Sequence, residues 1–456
     1  MKNYDSIIIG SGQAGTPLAF RLAAEGLKVA IIEKEHFGGT CVNTGCTPTK
    51  AYVASARRMF DATNGEPLGI HIPEGAKALM PKIKERKDAI VSDSVNGIKK
   101  GLEEDGNITI YKGEAVFSGP RQLRINGEEL QAATIYINVG GRPRMPEAFA
   151  GAGPLNNQSI LELTSLPEHL VIAGGGYIGL EFGQMFRRFG SRVTIVEKGE
   201  RIIRQEDADV SQAIRELLEE EGVVFRLKAT CMGARKLPTG GVSVKVDCEA
   251  GAPEVEGSHL LLAIGRDPNT DALQLDKTGV KIDEKGFIKV SGQLETNVPG
   301  IYALGDCNGQ GAFTHTAYND FEIVAANRFE DAGRKVSDRI TTYALFTDPP
   351  LGRVGMTLAQ AKKEGLNVLV GERAMSRVAR AKEKGETKGF MRVVVDADTE
   401  RFLGASVLGV GGDEIISGIT NLMYAGASYK TLRDSVQIHP TVAELIPTLL
   451  GELESE

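Results

Sequence analysis

The chain has 456 residues, 41% hydrophobic and 25% charged, enough for about three domains at ~150 residues each and too apolar for a disordered linker. Sixty acidic against 53 basic residues leave a net charge of -7, which argues against non-specific polyanion binding, because such binding runs on released phosphate counterions. Five cysteines are too few to staple a secreted scaffold, and no apolar run approaches the ~20 residues of a membrane span, so the expectation is a cytoplasmic protein with neither nucleic acid nor membrane as partner.

Ser6-Ile7-Ile8-Ile9 predicts a short buried strand that runs into Gly10-Ser11-Gly12-Gln13-Ala14-Gly15 and then a helical pattern through Leu18, Leu22 and Ala23. The strand Lys28 to Ile32 follows and ends on Glu33, 23 residues beyond the first glycine (33 − 10). The phrase recurs: Leu170 to Ala173, then Gly174-Gly175-Gly176-Tyr177-Ile178-Gly179, a helix, and Arg192 to Val196 ending on Glu197, again 23 residues on (197 − 174). In such a loop the first glycine permits a tight turn, the second lets backbone approach a pyrophosphate and the third lets helix pack on strand, while the glutamate accepts ribose hydroxyls. One glycine loop is weak evidence, but two in strand-loop-helix context with equal spacing predict two dinucleotide folds.

Each unit closes on a further strand, Thr134 to Val139 before Gly140 and His259 to Ile264 before Gly265. Gly300 to Asp306 predicts another buried strand that stops at an aspartate. From about Thr341 the chain becomes strand-rich, as in Met391 to Val395, and then predicts helices around Ile415 to Ala425 and Val442 to Leu450, which together read as an α+β domain. Cys231, Cys248 and Cys307 are well separated, lack metal-ligand spacing and read as packing residues, and no metal site is expected. Arg377 to Lys384 reads as a solvated mixed-charge stretch, or else as a mouth for an anionic substrate.

Between the first fold and its next helix stands Gly38-Gly39-Thr40-Cys41-Val42-Asn43-Thr44-Gly45-Cys46-Thr47-Pro48-Thr49-Lys50. This segment closely resembles the redox-active disulfide helix of the class I pyridine nucleotide-disulfide oxidoreductases, the flavoproteins that include glutathione reductase, dihydrolipoamide dehydrogenase and mercuric reductase. The resemblance spans both nucleotide loops, Gly305-Asp306 and the tail His439-Pro440-Thr441-Val442-Ala443-Glu444, hence essentially the whole chain. It implies an α/β architecture of two Rossmann-like domains and a C-terminal α+β dimerisation domain: an FAD domain at 1–148, an NAD(P) domain at 149–266, a central domain completing the FAD site at 267–338, and a dimerisation domain at 339–456.

The resemblance also implies roles. Gly10, Gly12, Gly15 and Glu33 would hold the ADP half of FAD, Thr40, Ala115 and Thr314 would touch the same cofactor, and Asp306 would accept a ribitol hydroxyl. Gly174, Gly176, Gly179, Glu197 and Gly265 would bind the nicotinamide dinucleotide. Tyr177 matches the tyrosine that covers the flavin until nicotinamide displaces it, and Lys50 with Glu181 matches the ion pair beside the flavin. Electrons would pass from nicotinamide through FAD to a Cys41–Cys46 disulfide and on to a small-molecule or protein disulfide. Cys46 would be the flavin-proximal thiolate, Cys41 the interchange thiol, and His439 oriented by Glu444 the acid–base pair, supplied by the other subunit of a homodimer.

Glu197 favours NADH over NADPH, because a carboxylate repels a 2'-phosphate, although Lys198, Arg201 and Arg204 lie where NADP-dependent relatives place cations. The wording around the cysteines is closest to the mercuric-reductase-like branch. The tail Gly451 to Glu456 lacks that branch's cysteine pair, however, so efficient mercury reduction is not expected. Alternatives to disulfide reduction are a metal-ion or quinone reductase and a redox-sensing binding protein.

Overall fold

The computed structural model describes residues 1–73, 75–238, 240–248 and 251–456; the expectation that Cys248 is a packing residue concerns a side chain outside the described set. The first unit comprises β1 (Lys2–Ile9), α1 (Gly15–Ala24), β2 (Val29–Glu33), α2 (Gly39–Asn43), α3 (Cys46–Asp61), α4 (Met80–Glu104), β3 (Ile108–Lys112), β4 (Val116–Gly119), β5 (Gln122–Ile125) and β6 (Glu128–Ile137). Its sheet runs β3-β2-β1-β6-β5-β4, with β3, β2, β1 and β6 mutually parallel. Ile7, Ile9, Ala30 and Ile32 enter one apolar cluster, while Ile8, Val29 and Ile31 enter another. Alternate side chains of a strand point to opposite faces and both faces are covered, which is why these strands read as unbroken apolar runs.

The second unit repeats the plan after β7 (Gly141–Pro143), through β8 (His169–Ala173), α5 (Tyr177–Phe189), β9 (Arg192–Val196), α6 (Ala208–Glu220) and β10 (Val223–Arg226). A three-stranded antiparallel sheet, β11 (Ala229–Lys236), β12 (Val242–Cys248) and β13 (Glu254–Gly257), precedes β14 (His259–Leu262), which closes a parallel sheet of order β10-β9-β8-β14. Both glycine phrases therefore sit at strand-to-helix junctions. β15 (Arg266–Pro268) pairs antiparallel with β7, and β16 (Ile301–Ala303) returns to the first sheet parallel to β6. The predicted strand ending at Asp306 thus belongs to the first sheet, and α7 (Thr314–Phe329) packs Ala317, Ile323 and Val324 into the cluster that also holds Leu18 and Leu22 of α1.

The C-terminal part contains β17 (Thr342–Leu345), β18 (Leu351–Gly355), α8 (Leu358–Lys363), β19 (Val368–Ala374), α9 (Ala379–Glu383), β20 (Phe390–Asp396), β21 (Phe402–Leu408), α10 (Gly412–Tyr424), α11 (Tyr429–Arg433), α12 (Leu445–Leu450) and β22 (Glu454–Ser455). The sheet is antiparallel throughout, in the order β17-β18-β21-β20-β19-β22. The helix expected from Val442 begins instead at Leu445, because Thr441 Oγ1 donates to Ile438 O and accepts from Glu444 N, closing a turn first. Arg377, Arg380, Lys382 and Lys384 are exposed, while Val378 and Ala381 between them enter the core. No helix among the described residues is long and apolar enough to cross a membrane.

One buried side chain joins three parts of the first unit. Asn138, just past β6, accepts from Gly15 N at 2.9 Å and donates to Leu304 O at 2.9 Å. It thereby fixes the first glycine loop against the turn that follows β16. Asn138→Ala leaves a buried N–H and a buried C=O unpaired, at roughly 1–3 kcal/mol each. Denaturant unfolding of the holoenzyme is expected to show a loss of about 2–6 kcal/mol, and a change below about 0.5 kcal/mol would refute this role.

Candidate active site

The two glycine loops are held by the same device. Glu33 Oε2 accepts from Ser11 N at 3.0 Å and from Ser11 Oγ at 2.5 Å, and its Oε1 accepts from Glu35 N at 2.7 Å. Glu197 Oε2 accepts from Gly175 N at 2.8 Å and its Oε1 from Gly199 N at 2.7 Å. Each carboxylate thus grips the residue after the first glycine and the residue two beyond itself. Gly10 and Gly174 take φ of +102° and +111°, and a Cβ on them would lie 2.2 Å from Asn138 O and 2.4 Å from Ala263 O. On Gly15 and Gly179 it would lie 2.1 and 2.0 Å from the first glycine's own carbonyl oxygen.

The middle glycines differ: a Cβ on Gly176 would meet nothing within 4 Å, and one on Gly12 would meet only the Asn138 side chain. That open cradle faces helices α1 and α5, neither of which is capped by the side chain of its own N-cap residue. Helix N-termini without caps offer backbone N–H groups and a positive dipole end to an anion. The residues present therefore fit a dinucleotide at each loop. Gly265, with φ +122°, accepts through its carbonyl from Arg144 N, and Ala115 is buried between β3 and β4.

The cysteines lie on consecutive short elements. Thr40 and Cys41 are in α2, Gly45 makes the turn, and Cys46 opens α3, so Cys46 and Lys50 share one face of that helix. Cys46 Sγ lies 3.1 Å from Thr314 Oγ1, at the first residue of α7, and the two thiols hydrogen-bond each other. Lys50 Nζ sits 2.5 Å from Glu181 Oε2 and 4.2 Å from the centroid of the Phe346 ring, and Glu181 Oε1 accepts from Phe346 N at 3.0 Å. The bond from Cys41 draws the Cys46 thiol down to about 6, with Thr314 and the Lys50 charge adding to it and outweighing burial. Cys41 moves up, chiefly because its proton is held in that bond. The first proton of the pair therefore leaves Cys46.

Around this centre stand the other predicted residues. Tyr177 opens α5, its ring edge-on to Phe313 at 5.6 Å and to Tyr343 at 5.5 Å. Asp306 lies in the turn after β16, where burial raises its carboxyl against the charge of Arg266, whose Nε is 3.5 Å away. His439, preceding a cis proline, places Nδ1 at 2.9 and 3.1 Å from the Glu444 carboxylate oxygens. Its side chain is 76% exposed, beside Ile438 at 79% and Val436 at 99%. Among the described residues of one protomer, no hydrogen bond or ion pair joins His439 or Glu444 to the cysteines.

Comparison with known proteins settles the family. The pyridine nucleotide-disulphide oxidoreductase model matches residues 4–320, and the dimerisation-domain model of the same family matches 341–450. The chain is a pyridine nucleotide-disulphide oxidoreductase. It is 34% identical over 449 residues to a dihydrolipoyl dehydrogenase of Thermus scotoductus, covering 97% of this chain and 96% of that one. It is 33% identical over 446 residues to a mercuric reductase of Staphylococcus aureus, covering 97% of this chain and 81% of that one. The solved structure of the HOCl-induced flavoprotein disulfide reductase RclA from Escherichia coli superposes with a TM-score of 0.89 at 34% identity, over 98% of this chain and 99% of that one. This family uses FAD and NAD(P)H, and the chain is an NAD(P)H-dependent flavoprotein disulfide oxidoreductase.

Several residues that shape this oxidoreductase's site carry no local sequence signal. Buried Asp320 accepts from Gly305 N at 2.8 Å and Asn308 Nδ2 at 2.9 Å and pairs with Arg339, so it fixes the turn that carries Asp306. Its position in the second turn of α7 is an ordinary place for an acid, and only the fold brings the loop to it. The Cys46 assignment yields a direct test. A hydrogen bond to a thiolate stabilises the charged form, so Cys41→Ala is expected to raise the apparent pKa of Cys46 by more than one unit. Thiol alkylation rates measured from pH 4 to 10 on the reduced holoenzyme give this value, and an unshifted profile would contradict the assignment.

Proposed function

We propose that the chain works in the cytoplasm as an NADH-dependent homodimeric disulfide reductase whose interchange thiol is Cys41. The setting of the cysteine pair carries this reading: Cys46 Sγ lies 3.1 Å from Thr314 Oγ1 on the helix that carries Lys50, and its thiol is drawn below the ordinary range while that of Cys41 is raised. When bound, FAD supplies the electron link between nicotinamide and the Cys41–Cys46 disulfide. Gly10, Gly12, Gly15, Glu33, Thr40, Ala115, Asp306 and Thr314 would hold it, with Lys50 and Glu181 beside its ring. Gly174, Gly176, Gly179, Glu197 and Gly265 would hold the nicotinamide dinucleotide, with Tyr177 covering the place the nicotinamide takes.

The His439–Glu444 contact supports these two as the acid–base pair. Glu444 accepts from Nδ1–H of His439, which leaves Nε2 as the free basic atom on an exposed ring. The neighbouring exposed apolar side chains Val436 and Ile438, in the dimerisation domain, fit a face covered by a second protomer. His439 of each protomer then serves the cysteines of the other. Nε2 takes the Cys41 proton, Cys41 Sγ attacks one sulfur of the substrate disulfide, and the leaving thiolate takes that proton back. The Cys46 thiolate attacks Cys41 Sγ, releasing the second substrate thiolate and closing the Cys41–Cys46 disulfide. Glu197 supports NADH, since a carboxylate just after β9 repels a 2'-phosphate.

A second acceptor is favoured by one observation: RclA, 33% identical to this chain, has been solved as a Cu(II) complex. A thiophilic metal ion at the same two sulfurs is therefore the alternative to a disulfide. Steady-state turnover of a panel of small and protein disulfides, beside Cu(II) reduction followed with a Cu(I) chelator, separates the two. Cys41→Ser is expected to abolish disulfide turnover and His439→Gln to lower it by about 10²–10⁴-fold. Unchanged disulfide turnover in Cys41→Ser would overturn the mechanism.

A further inference from the structure

The loop between β9 and α6 grips the hydroxyl of Tyr177. Gln205 Nε2 donates to Tyr177 Oη, while the ring leans on Phe313 and Tyr343. Gln205 is exposed, yet the backbone on either side of it is anchored. Ile203 N donates to Gly175 O at 3.0 Å, within the second glycine loop, and Glu206 N donates to Ile203 O at 3.0 Å. Ile203 takes φ +35°, a strained conformation for a β-branched residue that persists only where its surroundings over-determine it.

On the other side, Glu206 is buried and accepts from the Tyr343 hydroxyl, with Arg353 Nε 3.8 Å from its second oxygen. Asp207 accepts from Leu358 N at 3.1 Å and Ala359 N at 2.9 Å at the start of α8, and Arg392 lies 3.4 Å from it. Gln205 is thus a short arm between two fixed points, with its entropy of ordering already met by the loop.

We propose that Gln205 is the latch of Tyr177, a positioning residue that sets nicotinamide affinity by holding the tyrosine over the place the nicotinamide must take. The proposal rests on the reading of Tyr177 as a movable cover. A ligand that binds only when the cover is displaced has its affinity reduced by the fraction of molecules in the displaced state. Each hydrogen bond to the closed cover lowers that fraction. Ring packing adds to the hold, because Tyr343, whose hydroxyl Glu206 fixes, lies 5.5 Å from Tyr177 between ring centroids. Removing Gln205's amide therefore strengthens nucleotide binding, which is the opposite of what loss of a nucleotide contact would do.

The test is anaerobic stopped-flow reduction of the holoenzyme by NADH, recorded for the wild type, Gln205→Ala, Tyr177→Phe, the double variant and Tyr177→Ala. Gln205→Ala is expected to lower the half-saturating NADH concentration by about 3–10-fold, the worth of one net hydrogen bond, with little change in the limiting rate. Tyr177→Phe lowers it at least as far, and the double variant goes no further than Tyr177→Phe. If Tyr177→Phe lowers half-saturation but Gln205→Ala leaves it unchanged, the latch is refuted while the cover stands. A raised half-saturation in Gln205→Ala makes Gln205 a nucleotide contact and likewise refutes the latch. If neither Tyr177 variant alters half-saturation or limiting rate, the cover itself is wrong.

Discussion

A carboxylate in the middle of a buried helix face persists only if its oxygens are met by a cation or by donors, because burial without partners costs several kcal/mol. Glu181, flanked by Leu180 and Phe182 in α5, is such a group, and its partners come from two other parts of the chain. Lys50 reaches one oxygen from the cysteine helix and Phe346 N reaches the other from the segment after β17. The next turns of α5 extend the junction. Gln184 exchanges two hydrogen bonds with the backbone of Asp348, at 2.8 and 2.9 Å, and Arg188 and Arg57 both pair with the Asp348 carboxylate. One face of α5 therefore fixes α3 relative to both the second nucleotide fold and the C-terminal domain, and the position of Cys46 follows from that.

The same residue type behaves differently elsewhere in the molecule. Cys307 and Cys231 are pushed up to about 12 and about 11 by burial among apolar neighbours, so both remain neutral thiols and act as small packing groups. Cys46, on an exposed position, receives a thiol proton, a threonine hydroxyl and a lysine charge, which bring it to about 6. What separates the Cys46 thiol from these two is the set of donors supplied by α2, the start of α7 and the first turns of α3.

The two nucleotide folds were legible because their requirements are local. A positive φ at Gly10 and Gly174, close approach at Gly15 and Gly179 and a carboxylate at the end of the next strand all fall within one short stretch. The cysteine segment was legible through family resemblance, because two cysteines at this spacing do not by themselves specify redox chemistry. The residues that lock the site were not legible. Asn138, Asp320, Gln205 and Glu206 have partners between 12 and 166 positions away, and a polar residue past a strand end, in a loop or in a helix gives no sign of its partner. The early start expected for the last helix, at Val442 instead of Leu445, came from apolar periodicity, which does not register the turn closed by Thr441.

The central claim is that electrons from NADH come to rest on the cysteine pair, with Cys46 as a thiolate against the flavin. Anaerobic titration of the purified holoenzyme with NADH, following the flavin spectrum, tests it most directly. The first two electrons are expected to produce a long-wavelength thiolate-to-flavin absorbance while the oxidised flavin band survives. Simple bleaching of the flavin at one equivalent, with two titratable thiols failing to appear, would contradict it.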